Sequence, residues 1–489
     1  MSYFIISLDS GTTSARAVLF NEAGEVVALE QKEFTQIYPK PGWVEHDPLE
    51  ILEAQTEVLN DLQSKHDLPI LAMGITNQRE TTVVWDRKTG APVYNAIVWQ
   101  DKRTSEMCAT LKASGLREYC KKATGLVLDP YFSGTKIAWI LDNVEGARAR
   151  AERGELCFGT VDTWLLWNLT DGTVHATDPS NASRTLLYNI EAMDWDERML
   201  EALNVPRAIL PEVKESSSVF GSHNGIPIAA IMGDQQSALF GQTCFTPGTA
   251  KNTYGTGCFM LMNTASEIPE TPSGLLNTVA WQIGGETTYA LEGSVFVAGA
   301  AIQWLRDGLN LISSSSETSA IASAHADSTP DSPVIVVPAF AGLGTPYWDM
   351  DARGAVLGLT RDSDSNAIIR ATLESLAYQS MDVLKAMQED SGISLFTLQV
   401  DGGASANDYL MQFQADLLGV SIERPKSVEC TALGVALMAS VTMGEKVLAE
   451  LKCTKELDMI FSPEKPVEWR EKRTEIWDDA IKRVRTNAI

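Results

Sequence analysis

The sequence predicts an α/β protein of two lobes, each built on a strand-turn-strand unit followed by further strands and helices. Apolar runs flank a turn rich in glycine and hydroxyl residues at 9–16, and the same pattern returns at 251–262, about half a chain later. Elsewhere, apolar runs of strand length alternate with segments of helical periodicity. We interpret this as a remote duplication, with lobes at residues 1–250 and 251–489 and a boundary near 247–255.

In the first half, the pattern predicts strands at 3–9, 15–20, 26–34, 71–76 and 81–85 and helices at 47–64, 103–113 and 133–143. In the second half, it predicts strands at 228–232, 258–262, 334–338 and 396–400 and helices at 295–309, 366–388, 406–418 and 431–443. A last helix from Val467 should bury Trp469, Ile476, Trp477 and Ile481, and the serine-rich stretch 313–328 reads as a polar connector around a short helix.

Composition excludes several classes of protein. The 489 residues are 44% hydrophobic and 21% charged, ordinary values for a globular chain. The net charge of −25 disfavours nucleic acid or an anionic membrane surface as a partner. No apolar run approaches the roughly 18 residues of a membrane helix. The seven cysteines are scattered without a CxxC pair, so we expect no disulfide framework or zinc site and a cytoplasmic location.

The turn at 9–16 has the chemistry of a phosphate loop. Gly11 allows a ligand to approach the backbone, and hydroxyl groups and a fixed positive charge follow at Thr12, Thr13, Ser14 and Arg16. Asp9, at the end of the preceding strand, could hold Mg²⁺ through its waters. An ordinary hairpin turn with polar tip residues is the alternative.

Two more glycine-rich turns strengthen the phosphate-loop hypothesis. Residues 253–257 precede an apolar strand, and residues 400–407 run from a strand through glycines into a helix, where Asn407 could cap the helix or contact a base. Three such turns in this order indicate a nucleotide clamp. The arrangement resembles the superfamily of actin, hexokinase and the heat-shock chaperones, which implies two ribonuclease H-like lobes, the actin-like ATPase fold, with an interlobe catalytic cleft.

A second group of residues could hold an acceptor molecule. Arg79 and Glu80 offer adjacent donors and an acceptor after a buried strand, which suits the neighbouring hydroxyl groups of a polyol. Tyr131 adds a hydroxyl group on an apolar ring, and Trp99 and Phe259 could wall the carbon side of a small substrate. The alternatives are a surface ion pair for Arg79 and Glu80 and core packing for the three aromatic residues.

Asp234 is the candidate general base. It follows the predicted strand 228–232 and begins a helix, and an alcohol becomes a good nucleophile only when a base takes its proton. Phosphoryl transfer otherwise needs positioning and charge neutralisation. Capping of the helix by the Asp234 side chain is the alternative, and the two roles are compatible.

Over nearly its whole length the chain resembles the FGGY family of carbohydrate kinases, and within it the glycerol branch. The resemblance rests on residues 38–47, 75–82, 131–136, 233–236, 251–257 and 401–404. The chain departs from the family at Ser10, where glutamine is frequent, and at Ala367, where a polar residue is usual. Neither departure has an evident chemical consequence.

The resemblance implies that the chain transfers a phosphoryl group from ATP to a terminal hydroxyl of glycerol, with Mg²⁺ near Asp9. It implies that the acceptor is held by Arg79, Glu80, Trp99, Tyr131, Asp234, Gln235 and Phe259, with Asp234 as the base. It implies that the phosphates and the nucleotide are held by Thr12, Thr13, Ser14, Arg16, Thr256, Gly299, Gln303, Gly403 and Asn407. A homo-oligomer, a dimer or a tetramer, is also expected.

Residues 221–227 bear on regulation. Some bacterial family members carry a longer glycine-rich loop here that binds an inhibitory sugar bisphosphate, and others carry a phosphorylatable histidine motif. This stretch is too short for the first and does not match the second, so we expect no inhibition by sugar bisphosphates. Two alternative functions stay open from the sequence: a kinase for another polyol or a ketose, and a chaperone-like or actin-like ATPase switch.

Overall fold

A computed structural model describes residues 3–427, 429–451 and 456–486 of the chain. The chain divides into two compact units that interleave along the sequence. The first unit comprises Met1–Thr243, Asn277–Ala290 and Glu429–Thr454, and the second comprises Cys244–Leu276, Leu291–Val428 and Lys455–Ile489.

The strands are β1 Phe4–Ser10, β2 Ser14–Asn21, β3 Val26–Glu33, β4 Glu45–His46, β5 Ile70–Asn77, β6 Val83–Asp86, β7 Ala96–Ile97, β8 Leu156–Gly159, β9 Ala176–Thr177, β10 Tyr188–Asn189, β11 Asp194–Trp195, β12 Glu212–Val213, β13 Gly221–His223, β14 Ile226–Gly233, β15 Thr249–Tyr254, β16 Cys258–Ala265, β17 Leu276–Ile283, β18 Glu286–Val295, β19 Ile335–Val337, β20 Ala355–Leu357, β21 Thr397–Gly402, β22 Ser421–Pro425 and β23 Leu457–Phe461.

The helices are α1 Pro48–Lys65, α2 Ser105–Ala113, α3 Arg117–Thr124, α4 Ser133–Asn143, α5 Ala147–Glu152, α6 Val161–Leu169, α7 Pro179–Ala182, α8 Glu197–Leu203, α9 Asp234–Gly241, α10 Gly299–Gln303, α11 Glu317–Ser328, α12 Ser365–Ser391, α13 Asp408–Leu418, α14 Cys430–Thr442, α15 Leu448–Leu451 and α16 Val467–Val484. Short 3₁₀ turns lie at Arg207–Ile209 and Gly403–Ala406, and a π-helical turn follows α10 at Trp304–Gly308.

The main sheet of the first unit has the strand order β13-β14-β5-β1-β2-β3. Strands β14, β5 and β1 run parallel, and the other neighbours are antiparallel. On one face, Ile6, Leu8, Met73 and Ile75 belong to a buried cluster with residues of α1 and α6. A parallel core with both faces covered is the usual α/β arrangement.

Helix α14 covers the opposite face through close contacts at glycine. A Cβ atom on Gly74 of β5 would lie 2.8 Å from Val435 of α14, so the helix approaches as near as a side chain-free position allows. Gly434 meets α9 in the same way, because its Cβ would lie 1.8 Å from the Ser237 carbonyl oxygen. The glycines therefore set the packing of α9 and α14.

The main sheet of the second unit contains β16-β15-β21-β22-β23, and β18 continues it on the β16 side from Leu291. The long helix α12 belongs to its core. There the fully buried Trp477 of α16 stacks on Tyr378 of α12, with ring centroids 5.0 Å apart. The last helix thus buries Trp477 and Ile481, with Trp469 and Ile476 partly buried, as the sequence predicts.

The predicted duplication is visible in the pairing of strands. β1 pairs antiparallel with β2 and parallel with β5, and β15 pairs antiparallel with β16 and parallel with β21. Each unit places a tight turn after the first strand of this set. The two-domain α/β fold predicted from the sequence is confirmed.

One predicted element is wrong in its start. The helix predicted at 295–309 begins only at Gly299, because residues up to Val295 belong to β18. The missed β17–β18 hairpin turns at Gly284 and Gly285, both with positive φ. That glycine pair is a hairpin signal in the sequence, since each residue of such a turn needs a left-handed backbone.

Two expectations from composition concern cysteines and membranes. The six cysteines in the described ranges are buried and form no disulfide, while Cys453 lies outside the described residues. Among residues 3–427, 429–451 and 456–486, no helix has the length and apolar character that a bilayer crossing requires.

Candidate active site

Three parallel strands of the first unit bring the predicted residues to one edge of the sheet. Ser10, at the end of β1, is the register partner of Asn77 at the end of β5, and Asn77 is also the partner of Gly233 at the end of β14. The chain segments that follow these three ends begin at Gly11, Gln78 and Asp234. Ligands of open α/β sheets bind at this carboxyl edge of the strands.

The predicted phosphate loop is a tight turn between β1 and β2. The Gly11 N–H donates to the Ser14 carbonyl at 2.9 Å, and Thr13 at the tip is exposed. A Cβ on Gly11 would lie 3.4 Å from that same carbonyl oxygen, at the limit of ordinary van der Waals contact. Thr12 and Ser14 are half-buried, so the loop presents hydroxyl groups at the edge of the sheet.

Asp9 and Arg16 face each other across β1 and β2. They are register partners, and the Arg16 guanidinium binds the Asp9 carboxylate. The other Arg16 nitrogen donates to Glu429, the residue before α14, at 2.6 Å. The Asp9 charge, with Glu429, raises the pKa of Arg16, so the guanidinium is cationic. Arg16 therefore lies between two carboxylates.

The predicted acceptor residues around Arg79 lie together in the first unit. Arg79 is 2% exposed; its Nη2 donates to the Tyr131 hydroxyl at 3.4 Å, and its Nε lies 3.3 Å from the Asp234 carboxylate. Arg79 and Glu80 are thus not a surface ion pair; both are buried. Gln236, which the sequence analysis did not single out, accepts from Arg79 at 3.3 Å.

Gly233 makes room for Arg79. A Cβ on Gly233 would lie 2.8 Å from Arg79 Cγ and 2.9 Å from Cδ, so no other residue fits without moving the arginine. The Gly233 N–H donates to Ser180 Oγ at 2.9 Å, and Ser180 in turn donates to the buried Asp178 at 2.9 Å. These bonds fix the backbone immediately before Asp234.

Trp99 connects the phosphate loop with the acceptor residues. Its indole N–H donates to Thr12 Oγ1 at 3.0 Å, and its ring meets Tyr131 edge-on with centroids 5.6 Å apart. The two half-buried aromatic rings therefore lie beside the β1–β2 turn and are not packed inside the hydrophobic core. Thr12 is held by a residue of the predicted acceptor group.

Asp234 is the first residue of α9, and its side chain does not cap the helix. Gly233 occupies the capping position and no side-chain capping bond is made. The Asp234 side chain is 28% exposed, lies beside Arg79, and accepts from the Gln235 backbone N–H at 2.7 Å. The capping alternative is therefore wrong, and the carboxylate lies beside the Arg79 guanidinium.

Gln235 and Phe259 are both half-buried and belong to different units. Gln235 follows Asp234 on α9 of the first unit. Phe259 lies on β16 of the second unit, where it is the register partner of Thr253. Contacts with an acceptor stay a prediction for both side chains.

The predicted nucleotide residues of the second unit line one cavity of about 490 Å³. They are Thr256, Gly299, Gln303, Gly403 and Asn407. Asn407 caps α13 by accepting from the Leu410 N–H at 3.0 Å, and its amide donates to Thr318 at 2.9 Å. A cavity of this size and mixed lining suits a nucleoside.

Gly299 packs closely against the β15–β16 turn, and both contribute to the lining of this cavity. The Gly299 N–H donates to the Gly255 carbonyl at 3.0 Å, and a Cβ on Gly299 would lie 2.6 Å from that oxygen. The serine-rich stretch, interpreted as a connector, also contributes to the lining through Ser315, Ser316 and Ser319. Its hydroxyl groups were not recognised because polar residues at a binding surface and in a connector look alike in sequence.

Two further residues beside the predicted acceptor residues, Arg184 and Lys136, were not identified from the sequence. Arg184 donates to Glu80 at 2.7 Å and is fully buried. Lys136 donates to the backbone carbonyls of Tyr131 and, at 3.2 Å, of Phe132. Burial lowers the pKa of Lys136 to about 7, against the opposing charges of Glu80, Asp101 and Asp129. Lys136 lies within residues 131–136, one of the segments that carry the family resemblance, so the sequence did point to this region. Arg184 lies in none of those segments.

The chemistry of the phosphate loop fits Mg²⁺. Asp9 supplies a carboxylate beside the hydroxyl-bearing turn, and Mg²⁺ is commonly held by one or two carboxylates, waters and substrate phosphates. In the part of the chain that the structure describes, no cluster of three or more His, Cys, Asp or Glu residues could hold a metal. An ion at Asp9 would therefore depend on the nucleotide's own oxygens.

Comparison with known families covers most of the chain. Residues 4–241 match the N-terminal domain, and residues 250–443 the C-terminal domain, of the FGGY family of carbohydrate kinases. A protein of Fusobacterium nucleatum named glycerol kinase is 58% identical over 496 aligned residues, covering 99% of each chain.

Solved structures are similar over the full length. The structure of Plasmodium falciparum glycerol kinase with ADP has a TM-score of 0.93 and 36% sequence identity, covering 99% of this chain and 98% of that one. A gluconate kinase of Lactobacillus acidophilus has a TM-score of 0.90 at 21% identity, covering 100% of this chain and 99% of that one, which is a likeness of fold alone.

Proposed function

Because this chain belongs to the FGGY family of carbohydrate kinases, we propose that it transfers the terminal phosphoryl group of ATP to glycerol, giving ADP and sn-glycerol 3-phosphate. One observation carries the proposal most directly: Arg79 lies among Glu80, Tyr131 and Asp234, a compact set of donors and acceptors. A three-carbon triol needs such a set, because each hydroxyl group both donates and accepts.

The acceptor's hydroxyl groups are held by Arg79, Glu80, Tyr131, Asp234 and Gln235, and its carbon chain packs on Trp99 and Phe259. Support comes from the burial of Arg79 and Glu80, which makes their charges strong and their positions fixed. Trp99 and Tyr131 meet edge-on, which supplies an apolar wall of the size of a few carbon atoms.

Asp234 takes the proton of the attacking hydroxyl group. Its carboxylate is partly exposed, so an acceptor hydroxyl group can reach it. Arg79, at 3.3 Å, holds the carboxylate in one orientation. The acceptor oxygen, which gains alkoxide character, then attacks the γ-phosphorus of ATP. The bond from this phosphorus to the β,γ-bridging oxygen breaks, ADP leaves, and the proton stays on the Asp234 carboxyl group.

The phosphates are held by Thr12, Thr13, Ser14 and Arg16, and the nucleoside by Thr256, Gly299, Gln303, Gly403 and Asn407. Mg²⁺ near Asp9, when bound, neutralises phosphate charge. The chain's own residues orient the phosphates through the turn's backbone N–H groups and hydroxyl groups. In this assignment, residues 1–250 bind glycerol and phosphate, and residues 251–489 bind the nucleotide and add Phe259 to the glycerol site.

The alternatives differ in class. Membership in a carbohydrate kinase family decides against the chaperone-like or actin-like ATPase switch. A kinase for another polyol or a ketose is the competing specificity, because the fold is shared with kinases for other sugars.

The test is an ADP-release assay with glycerol, dihydroxyacetone, erythritol, xylulose and ribulose, each compared with a reaction lacking acceptor. We expect the highest kcat/KM with glycerol and a product that a stereospecific sn-glycerol 3-phosphate dehydrogenase oxidises. A higher kcat/KM with a ketose or erythritol would replace glycerol as the substrate. ADP release independent of any acceptor would contradict kinase function.

We propose a cytoplasmic homo-oligomer. The buried cysteines among the described residues form no disulfide, which is compatible with a reducing compartment. Light scattering on the purified chain measures the assembly, with a dimer or tetramer expected and a monomer contradicting it.

A further inference from the structure

Arg184 is a buried arginine beside Glu80 and Tyr131, two of the predicted acceptor residues. It follows the short helix α7, its side chain is 0% exposed, and its Nε donates to Glu80 Oε1 at 2.7 Å. The guanidinium carbon lies 5.3 Å from the Phe132 ring centroid and 5.7 Å from that of Tyr131. One side chain therefore contacts the carboxylate of Glu80 and faces the ring of Tyr131.

Glu80 is held in an unusual backbone state. Its φ is +61°, a left-handed value uncommon for a residue other than glycine, and it is 1% exposed. Its carbonyl oxygen accepts from Ser133 Oγ at 3.0 Å and from Thr82 Oγ1 at 3.1 Å. These bonds fix the backbone, while the direction of the carboxylate depends on its ion partners.

Arg184, rather than Arg79, is the nearer ion partner of Glu80. Arg79 Nε lies 3.8 Å from Glu80 Oε1, a full ångström farther than Arg184, and only 3.3 Å from Asp234. The negative charge of Glu80 is therefore balanced mainly by Arg184. Arg79 consequently keeps its shorter contacts with Asp234 and the Tyr131 hydroxyl.

We propose that Arg184 is a positioning residue of the acceptor site, which orients the Glu80 carboxylate and the Tyr131 ring without itself touching the acceptor. The identity of the acceptor as glycerol rests on the proposed function; the positioning role does not. Its consequence is selective: loss of Arg184 weakens acceptor binding and leaves nucleotide binding unchanged.

Arg103 provides a matched control for a purely structural ion pair. Its side chain is also 0% exposed, donates to Glu45 at 2.7 Å and to Asp101 at 2.8 Å, and lies 3.8 Å over the Trp43 ring. Like Arg184, Arg103 is buried, pairs with carboxylates and lies over an aromatic ring. Its partners are different residues, and Glu80 and Tyr131 are not among them.

The experiment compares Arg184→Lys with Arg103→Lys in kcat, in KM for acceptor and ATP, and in thermal midpoint. For Arg184→Lys we expect a rise in acceptor KM of about tenfold or more, because small displacements of a binding group are costly. The KM of Arg184→Lys for ATP should stay within about twofold of the wild-type value. Arg103→Lys should lower the thermal midpoint by a comparable amount but leave the acceptor KM within about twofold of the wild-type value. Equal changes in acceptor KM for the two variants would overturn the proposal.

A double variant tests the route through Glu80. If Arg184 acts by orienting this carboxylate, Arg184→Lys should change acceptor KM by less than about twofold in a Glu80→Gln background, because the interaction is already lost. Additive effects would refute the route. Should wild-type enzyme fail to phosphorylate glycerol, the same ratios are measured with its best acceptor from the screen, so that failure of the specificity and failure of the positioning role remain distinct.

Discussion

Arg16 and Asp9 are directly opposite each other in the β1–β2 pair, and the guanidinium of Arg16 also reaches Glu429 at 2.6 Å. The cation of the phosphate loop is therefore already balanced by two carboxylates in this structure. Phosphate oxygens that approach Arg16 must compete with Glu429, whose side chain is 18% exposed. We therefore predict that the carboxylate of Glu429 weakens the binding of phosphate at Arg16.

Replacing Glu429→Gln should lower the KM for ATP by about threefold with kcat within about twofold, because a negative charge near the phosphates is removed while a hydrogen-bonding side chain remains. Steady-state kinetics at fixed Mg²⁺ measure this. Glu57→Gln makes the same change in net charge at a half-exposed partner of Lys32 and should have no effect. A higher KM for ATP in Glu429→Gln would mean that Glu429 instead holds Arg16 in its productive position.

Replacing Asp234→Asn should lower kcat by about 10²-fold or more, because the amide cannot accept the proton of the hydroxyl group. Binding of glycerol should stay largely intact, since an amide oxygen still faces Arg79, now 3.3 Å from the carboxylate. Single-turnover assays and calorimetric titration with glycerol separate the two effects. Near-normal turnover would assign the base to another group.

Two glycines of the cavity form a matched pair. A Cβ on Gly299 would lie 2.6 Å from the Gly255 carbonyl oxygen, whereas a Cβ on Gly403 meets nothing within 4 Å. Gly299→Ala should therefore displace the β15–β16 turn and raise the KM for ATP by about tenfold, with a lower thermal midpoint. Gly403→Ala should leave the thermal midpoint unchanged, so any rise in its KM for ATP reports contact with the nucleotide. A Gly299→Ala enzyme with normal KM for ATP would show that the turn is not part of the nucleotide site.

Asp382 makes stability depend on pH. Burial raises the pKa of its carboxyl group to about 7, while Trp477 donates to it at 2.7 Å and Tyr347 at 2.9 Å. A raised folded-state pKa means that the folded chain binds the proton more tightly. The stabilisation is complete below the unfolded pKa near 4 and is lost as pH rises to about 7.

Asp382→Asn should remove this dependence, because an amide oxygen can accept both bonds and does not ionise. The free energy of unfolding of the variant relative to the wild type should rise by about 1.4 kcal/mol per pH unit inside this window and level off above it. Urea unfolding at about pH 4.5, 5.5, 6.5 and 7.5, in steps of one unit as the linkage slope requires, measures the difference. A difference independent of pH would show that Asp382 titrates near its ordinary pKa.

The enzyme should be insensitive to fructose 1,6-bisphosphate. Residues 221–227 form a tight hairpin whose turn consists of Asn224 and Gly225, both with positive φ, and His223 bonds the Leu169 carbonyl at 2.9 Å. Such a two-residue turn leaves no loop to bind a bisphosphate. Inhibition assays at physiological concentrations check this, and strong inhibition would contradict it.

Several features of the fold could be predicted because they depend on local chemistry. The β1–β2 turn, the amphipathic α1 and the capped α13 follow from short-range signals in the sequence, and the structure places them at the predicted positions within a few residues. The β17–β18 hairpin is not among the predicted elements, although its glycine pair, Gly284 and Gly285, is a local hairpin signal.

The sequence by itself determined the two-lobed architecture and the turn between β1 and β2, because glycine turns, strand ends and helix starts are local. Its assignments of phosphate, nucleotide and acceptor residues stay predictions. Only the tertiary structure decided that Glu429 balances Arg16 and that Arg184 balances Glu80. These partners are separated by 413 and 104 residues. The physical reason is that charges removed from water must be paired, fully for Arg184 and Glu80 and in part for Arg16 and Glu429. The chain brings each partner into place by folding and not by proximity along the sequence.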